Sequence, residues 1–194
     1  MKVTLRRIAL CALAAAPLGV HAGPLDAQIQ NIIESQVNQW LHSAEVVDAI
    51  KAQNSRNQGL SQAQIDSLDK QWRAETKSSS RPLIDEIISN PLSQRLRGVK
   101  DGGGGLFTEI FVMDNKGLNV GQSDVTSDYW QGDEAKWQNT FAKGAGSVFI
   151  DEVEFDESTQ QYQVQASIAV SDPASHEVIG AVTIGMNVEM LEQL

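Results

Sequence analysis

The spacing of apolar residues changes once along the chain, at Gly102-Gly103-Gly104-Gly105. Before this point apolar side chains recur at steps of three and four, the helical period. After it they alternate, the strand period. Helices first and strands second, with short connections between strands, predict an antiparallel sheet. Such a sheet needs an apolar cover on one face, and an amphipathic helix supplies it. The expected class is α+β: a long N-terminal helix packed on a five-stranded antiparallel sheet. The four glycines are a flexible connector, because no Gly-Lys-Ser/Thr follows to make a phosphate loop.

Leu25, Ile29, Ile32, Ile33, Val37, Trp40, Ala44, Val47 and Ile50 form one stripe. This predicts a single helix of about seven turns, broken at Asn54 to Gly59. Ser61 is an N-cap for a second helix through Ile65, Leu68 and Trp72. Pro82 opens a third through Leu83 to Ile88, and Leu92 to Val99 adds a short fourth after Asn90-Pro91. Strands are expected at Phe107 to Met113 and Leu118 to Gln122, joined by the turn Asp114-Asn115-Lys116-Gly117. A polar, irregular stretch follows from Ser123 to Trp130, then a short helix within Gly132 to Phe141. Three more strands are expected: Val148 to Phe155, Gln161 to Ser171 and Val178 to Val188.

The first 22 residues predict a secretory signal peptide. Lys2, Arg6 and Arg7 precede an apolar run from Ile8 to Val20, and Val20-His21-Ala22 suits cleavage. The run is about 13 residues, short of the ~20 that a spanning helix needs. The expected division is residues 1–22 as signal peptide, 23–101 as helical segment and 102–194 as sheet, the last two forming one domain. Cys11, the only cysteine, leaves with the signal, so the mature chain forms no disulfide and no thiolate metal site. Removing three basic residues moves the formal charge from −10 to −13. That argues against nucleic acid and against anionic membrane surfaces, both of which need basic patches.

The hairpin around Asp114-Asn115-Lys116-Gly117, the aromatic segment from Ser127 to Trp137 and the strand Ile179 to Met186, taken in this order, resemble the Cache family of extracytoplasmic sensor domains, whose fold is PAS-like. Phe111-Val112-Met113-Asp114-Asn115-Lys116-Gly117-Leu118 is similar to the family's strand, Asp-x-x-Gly, strand hairpin. Ser127-Asp128-Tyr129-Trp130-Gln131-Gly132-Asp133 through Trp137 resembles its loop-and-helix segment over the ligand pocket, and Ile179-Gly180-Ala181-Val182 its closing strand. The resemblance covers about Leu25 to Leu194 and implies a pocket between sheet and loop. Family members are usually followed by a signalling module. The chain stops at Leu194, so the expectation is a stand-alone domain. The amino-acid-binding branch carries Arg-x-Trp-Tyr where this chain has Ala135-Lys136-Trp137-Gln138, which departs from that scheme.

The expected ligand-binding residues are Tyr129, Trp130, Trp137, Asp151 and Ser167. Strict alternation from Val148 sets Asp151 on a face with Phe149, Val153 and Phe155, a lone carboxylate among apolar neighbours. Such a group needs a partner: a ligand ammonium or hydroxyl, or a neighbouring cation or N–H. In the resemblance, an acidic residue in this region contacts the ligand amine. Tyr129, Trp130 and Trp137 cluster without helical periodicity and offer ring faces to a cation, or else pack the short helix onto the sheet. On the Gln161–Ser171 strand, the face of Gln163, Gln165, Ser167 and Ala169 is either solvent-facing or pocket-lining, and narrows toward Ser167.

Catalysis has little support. Outside the signal the histidines are His42 and His176, and there is no His-Glu-x-x-His run and no Gly-x-Ser-x-Gly elbow. No cofactor and no metal are expected. The acidic residues Glu152, Glu154 and Asp156 lack the loop pattern of a calcium site. The expected function is an exported, non-enzymatic small-molecule-binding sensor domain, periplasmic or secreted, relaying or sequestering an amine-bearing ligand without membrane insertion after signal cleavage. The alternative is an interaction module that docks on a membrane-bound receptor or kinase. N-terminal sequencing of the exported protein should begin near Gly23; a mature chain retaining Arg6 and Arg7 contradicts the signal peptide.

Overall fold

The structure is a computed structural model that describes residues 23, 25–156 and 160–194. The expected signal peptide, 1–22, lies outside the described residues. Helix α1 (Asp26–Ile32) runs through a π-helical turn (Ile33–Val37) into α2 (Asn38–Leu41). The expected single helix is broken at His42-Ser43. Ser43 is extended (φ −66°, ψ 153°) and opens α3 (Ala44–Asn57). The π turn and this break each rotate the apolar stripe, so Ala44 faces solvent while Leu41 and Val46 enter the core. Helix α3 runs on to Asn57, inside the expected break, where Gln53 and Asn57 donate to Asp114 of the turn and Asn54 to the Ile179 carbonyl.

Helix α4 (Gln62–Glu75) starts at the expected cap, where Ser61 and Gln64 form a reciprocal capping box. Helices α5 (Pro82–Ser89) and α6 (Pro91–Gly102) each begin with proline, whose missing N–H costs nothing at a helix start. The Asn90 side chain caps α6 at the Ser93 N–H.

Strands β1 (Phe107–Met113), β2 (Asn119–Gln122), β3 (Val148–Ile150), β4 (Glu154–Asp156), β5 (Gln161–Ser171) and β6 (Val178–Asn187) form one antiparallel sheet. Its order is β2-β1-β6-β5-β3, with β4 also on β5, so β3 and β4 share the outer position. Between them lies a bulge: three steps from Asp151 to Glu154 span only two on β5, from Gln165 to Gln163. Short helices α7 (Ala135–Gln138) and α8 (Val188–Leu191) complete the chain.

One face of the sheet carries Ile110, Val112, Val164, Val182 and Ile184 into a core shared with Ile29, Val37, Ile50 and Leu96 of the helices. Each such side chain contributes on the order of 1.5–3 kcal/mol by leaving water. The other face carries Glu109, Phe111, Gln163, Gln165, Ser167 and Thr183. Helices and hairpin are tied together at Asp114, which is fully buried. Its Oδ1 accepts from the N–H groups of Lys116 (2.8 Å) and Leu118 (3.0 Å). Its Oδ2 accepts from Gln53 Nε2 (3.1 Å) and Asn57 Nδ2 (2.8 Å) of α3. Gly117 closes the turn at φ +81°, where a Cβ would also meet the backbone of Gly132 at 2.5 Å.

Replacing Asp114 with alanine strands several buried donors at once, so denaturant unfolding should show a loss of about 3 kcal/mol or more. A loss below about 1 kcal/mol, the size of one ordinary hydrogen bond, would show that the ties are dispensable.

Candidate functional site

The uncovered half of the second sheet face is the floor of a cleft of about 880 Å³. That volume falls in the ~300–1,000 Å³ range of small-molecule sites. Glu109 and Phe111 of β1 and Gln163 and Gln165 of β5 form the floor. Segment 125–128 with Gln131, Glu134 and Lys136 makes one wall. Arg73, Thr76, Lys77 and Arg81, at and beyond the end of α4, make the other. The cleft therefore lies between sheet and loop.

The loop is held by α4. Asp69 Oδ1 accepts from the N–H groups of Tyr129 (2.9 Å) and Trp130 (3.1 Å). Arg73 bridges Asp69 (2.7 Å) and Asp128 (2.8 Å). The Trp72 indole donates to the Thr126 carbonyl at 2.9 Å and stacks on Tyr129 at 5.3 Å. The β1–β2 turn holds the other end: the Lys116 carbonyl accepts from the Trp130 indole (2.8 Å) and the Asp114 carbonyl from the Trp137 indole (3.2 Å).

Glu109 is the distinctive charge on the floor. Gln165 donates to its carboxylate at 2.8 Å and Gln163 at 3.3 Å. Both donors are neutral, and among the described residues no ion pair reaches it. Burial pushes its pKa above the ordinary carboxyl value, and Asp156 adds repulsion. The two glutamines and the Lys136 charge pull the other way without cancelling the rise. The room for Glu109 comes from Gly185 on β6. A Cβ there would lie 2.3 Å from Thr108 Oγ1, 2.8 Å from Glu109 Cγ and 2.9 Å from Gln163 Oε1. Thr108 donates to Gln163 Oε1 at 2.6 Å, which turns the Gln163 amide nitrogen toward Glu109.

The cations have their own anions. Lys136 pairs with Glu134 at 2.8 Å, with its ammonium 5.5 Å from the centre of the Phe111 ring. Arg81 pairs with Asp85 at 3.3 Å. Among the described residues Lys77 makes no ion pair. The floor thus offers the Glu109 carboxylate, with Lys77 on the rim outside any ion pair among the described residues.

None of the five residues expected at the site lines this cleft. Tyr129 is buried against Trp72, and burial keeps its phenol protonated, with the pKa pushed up. Trp130 and Trp137 are spent on the turn, and Trp137 also stacks on Phe141 at 4.9 Å behind Phe111. Ser167 is buried and shares a 2.9 Å hydrogen bond with Thr183. Asp151 lies at the sheet edge, its Oδ1 accepting from the N–H of Glu152. The expected face for Asp151 fails at the bulge. Phe155 turns to the opposite face, and Glu154, not an apolar residue, stands next on the side of Asp151. Glu109 was missed because it follows Thr108 where β1 shifts register, so alternation from Phe107 misplaces it. The polar face of β5 is pocket-lining at Gln163 and Gln165, one of the two readings its sequence allowed. Among the described residues no group of His, Asp and Glu is placed to hold a metal, and no helix is long and apolar enough to cross a membrane.

No protein-family model and no curated protein matches the sequence. The chain is similar in structure to the sensor domain of the V. cholerae histidine kinase DctB, at 15% identity and TM-score 0.43, over 86% of this chain and 56% of that one. It is also similar to the sensory domain of the Campylobacter jejuni chemoreceptor Tlp3, at 13% identity and TM-score 0.43, over 87% and 66%. A third is the ligand-binding domain of the Pseudomonas aeruginosa PAO1 amino acid chemoreceptor PctC in complex with GABA, at 14% identity and TM-score 0.38, over 86% and 62%. The chain spans less than two thirds of the length of each.

Asp69→Ala removes the acceptor of two loop N–H groups and one of the two partners of Arg73. Hydrogen exchange at the Tyr129 and Trp130 amides should speed up by roughly tenfold or more, the equivalent of one lost hydrogen bond to a charged group, with β5 and β6 still protected. Unchanged protection at both amides would show that α4 does not hold the loop.

Proposed function

We propose that this chain is an exported ligand-binding sensor domain whose cleft takes a small amine-bearing molecule, with the ammonium on Glu109. Glu109 carries this reading. A carboxylate removed from water costs free energy unless a charge or hydrogen bonds compensate it. Here the donors are two neutral amides, and a second carboxylate, Asp156, lies near enough to repel. An ammonium beside Glu109 relieves the cost of its burial. The Lys136 ammonium over the Phe111 ring supports a floor that tolerates positive charge beside Glu109. Lys77 on the rim suits an anionic group at the other end of the same ligand.

In this reading Tyr129, Trp130 and Trp137 act as the frame that fixes the loop wall, and Asp151 and Ser167 stand outside the contact set. The domain works in the periplasm or outside the cell and passes its bound state to a membrane-bound receptor or kinase. Residues 23–101 and 102–194 act as one domain, because a single core draws on both.

The pH behaviour follows from the raised pKa. Folded Glu109 holds its proton more tightly than the unfolded chain does. Its contribution to stability is therefore greatest below the unfolded carboxyl pKa, falls as pH rises through the folded pKa, and is flat above. Amine affinity moves the opposite way and is lost as pH falls through the folded value.

The test is a thermal-shift screen of the protein against primary amines and amino compounds, where a ligand at 100 times its Kd adds about 2.7 kcal/mol. Glu109→Gln keeps the shape and removes the charge. It should melt at the same or a higher temperature at neutral pH and lose roughly tenfold or more in affinity for any amine that binds. Amines binding equally to Glu109→Gln, or only carboxylates without an amine binding, would contradict the assignment.

A further inference from the structure

On the outer edge of the sheet Ile150 packs on the core and Asp156 lines the cleft, while Val148, Asp151, Val153, Glu154 and Phe155 belong to neither. Strands β3 and β4 pair only with β5, and among the described residues no element pairs their other side. An open edge presents a row of backbone N–H and C=O groups, a template for an added strand. The bulge sorts the edge side chains by face. Val148 lies opposite Ile168, and Phe155 opposite Tyr162, all on the helix-covered face. Asp151 and Glu154 lie opposite Gln165 and Gln163, on the cleft face.

Of these side chains Val148, Phe155, Tyr162 and Glu154 are exposed, Asp151 is half-buried, and Ile168 and Gln163 are buried. Val148 is 38% exposed, Phe155 47% and Tyr162 55%, and Phe155 and Tyr162 meet edge-on at 5.2 Å. Val153, in the bulge, is 49% exposed. Neighbouring exposed apolar side chains of this size mark interaction surfaces more often than scattered ones do. The acidic side chains Asp151, Glu152 and Glu154 have no ion pair among the described residues. The edge is therefore apolar on one face and anionic on the other.

We infer that this edge is a docking site for an extended segment of a partner protein in which apolar and basic residues alternate. The segment adds a strand outside β3 and β4. Its apolar side chains cover the Phe155–Tyr162 pair at one end of the edge and Val148 at the other, and its lysines or arginines meet Asp151 and Glu154. Alternation follows from the pleat, since successive side chains of the added strand fall on opposite faces. Charge selects against a second copy of this chain: antiparallel pairing of the edge with itself sets carboxylates against carboxylates. The whole chain, at a formal −10, repels its own kind as well. Glu109 lies on β1, inward of β5 and β6 from this edge, and neither Asp151 nor Glu154 hydrogen-bonds to it, so the edge and the amine site rest on different carboxylates.

The probe is a capped, fluorescently labelled peptide alternating lysine with valine and tyrosine, titrated into the protein at low salt and followed by anisotropy. Three comparisons run beside it: the same peptide N-methylated at alternate residues, a peptide with glutamate for lysine, and the protein with both Glu152→Lys and Glu154→Lys. These two side chains are exposed, and an unchanged melting temperature shows that the variant folds. The lysine peptide should bind, lose roughly tenfold or more in affinity for the double variant, and lose binding on N-methylation, while the glutamate peptide gains affinity for the double variant. Binding should be unchanged in Glu109→Gln, which separates this result from the fate of the amine site. No binding of the lysine peptide, or binding indifferent to N-methylation, overturns strand addition. Sedimentation showing a dimer of the unmodified protein that the probe does not dissociate overturns the choice of partner.

Discussion

The fold depends on what happens to the carboxylate of Asp114. It is fully buried and takes two N–H groups from its own turn and two side-chain amides from α3. Without it, the turn loses the acceptor that shapes it and α3 loses its polar hold on the hairpin. The Asp114 backbone carbonyl also receives the Trp137 indole, and the next carbonyl but one, of Lys116, receives that of Trp130. One turn therefore fixes the helix on one side of the sheet and the loop on the other. The energetic logic is asymmetric. Each hydrogen bond adds only about 1 kcal/mol net, but losing the shared acceptor exposes every donor to its full desolvation cost.

The cleft inherits its shape from this frame. Helix α4 grips segment 126–130 through Asp69, Trp72 and Arg73, so the wall facing the sheet is stiff before any ligand arrives. On the floor, Gly185 leaves space that Glu109 and Gln163 fill, and Thr108 orients the Gln163 amide. Most of the cleft charges are neutralised locally, and Glu109 is held by neutral groups. In the proposed reading a ligand amine binds by relieving a cost already present at Glu109, which favours affinity more than adding a new surface contact would.

Much of this was legible in the sequence, and the misses share a cause. The change of period at the four glycines, the Ser61 cap, the two proline starts and the Asp114–Gly117 turn all stand where local chemistry places them. Local rules fail where one extra residue changes the phase. The π turn rotated the stripe beyond Val37, and the bulge after Asp151 swapped the faces of Glu154 and Phe155. The shift in β1 displaced Glu109 from view. A strict period of two or of 3.6 carries no signal for an insertion of one. The aromatic loop is a different case. Tyr129, Trp130 and Trp137 lack periodicity because their partners are Trp72 and two turn carbonyls distant in sequence, and no local pattern encodes a long-range partner.

The central claim is that Glu109 is held at a cost that an amine relieves, and its titration measures this directly. Carbon-13 NMR of the Glu109 side-chain carboxyl, assigned by its disappearance in Glu109→Gln, follows the protonation of this one group across pH. The account predicts an apparent pKa above that of an ordinary glutamate in the free protein, falling when a bound amine from the screen occupies the cleft. An ordinary or lowered pKa in the free protein, or a value that amine binding leaves unmoved, would contradict it.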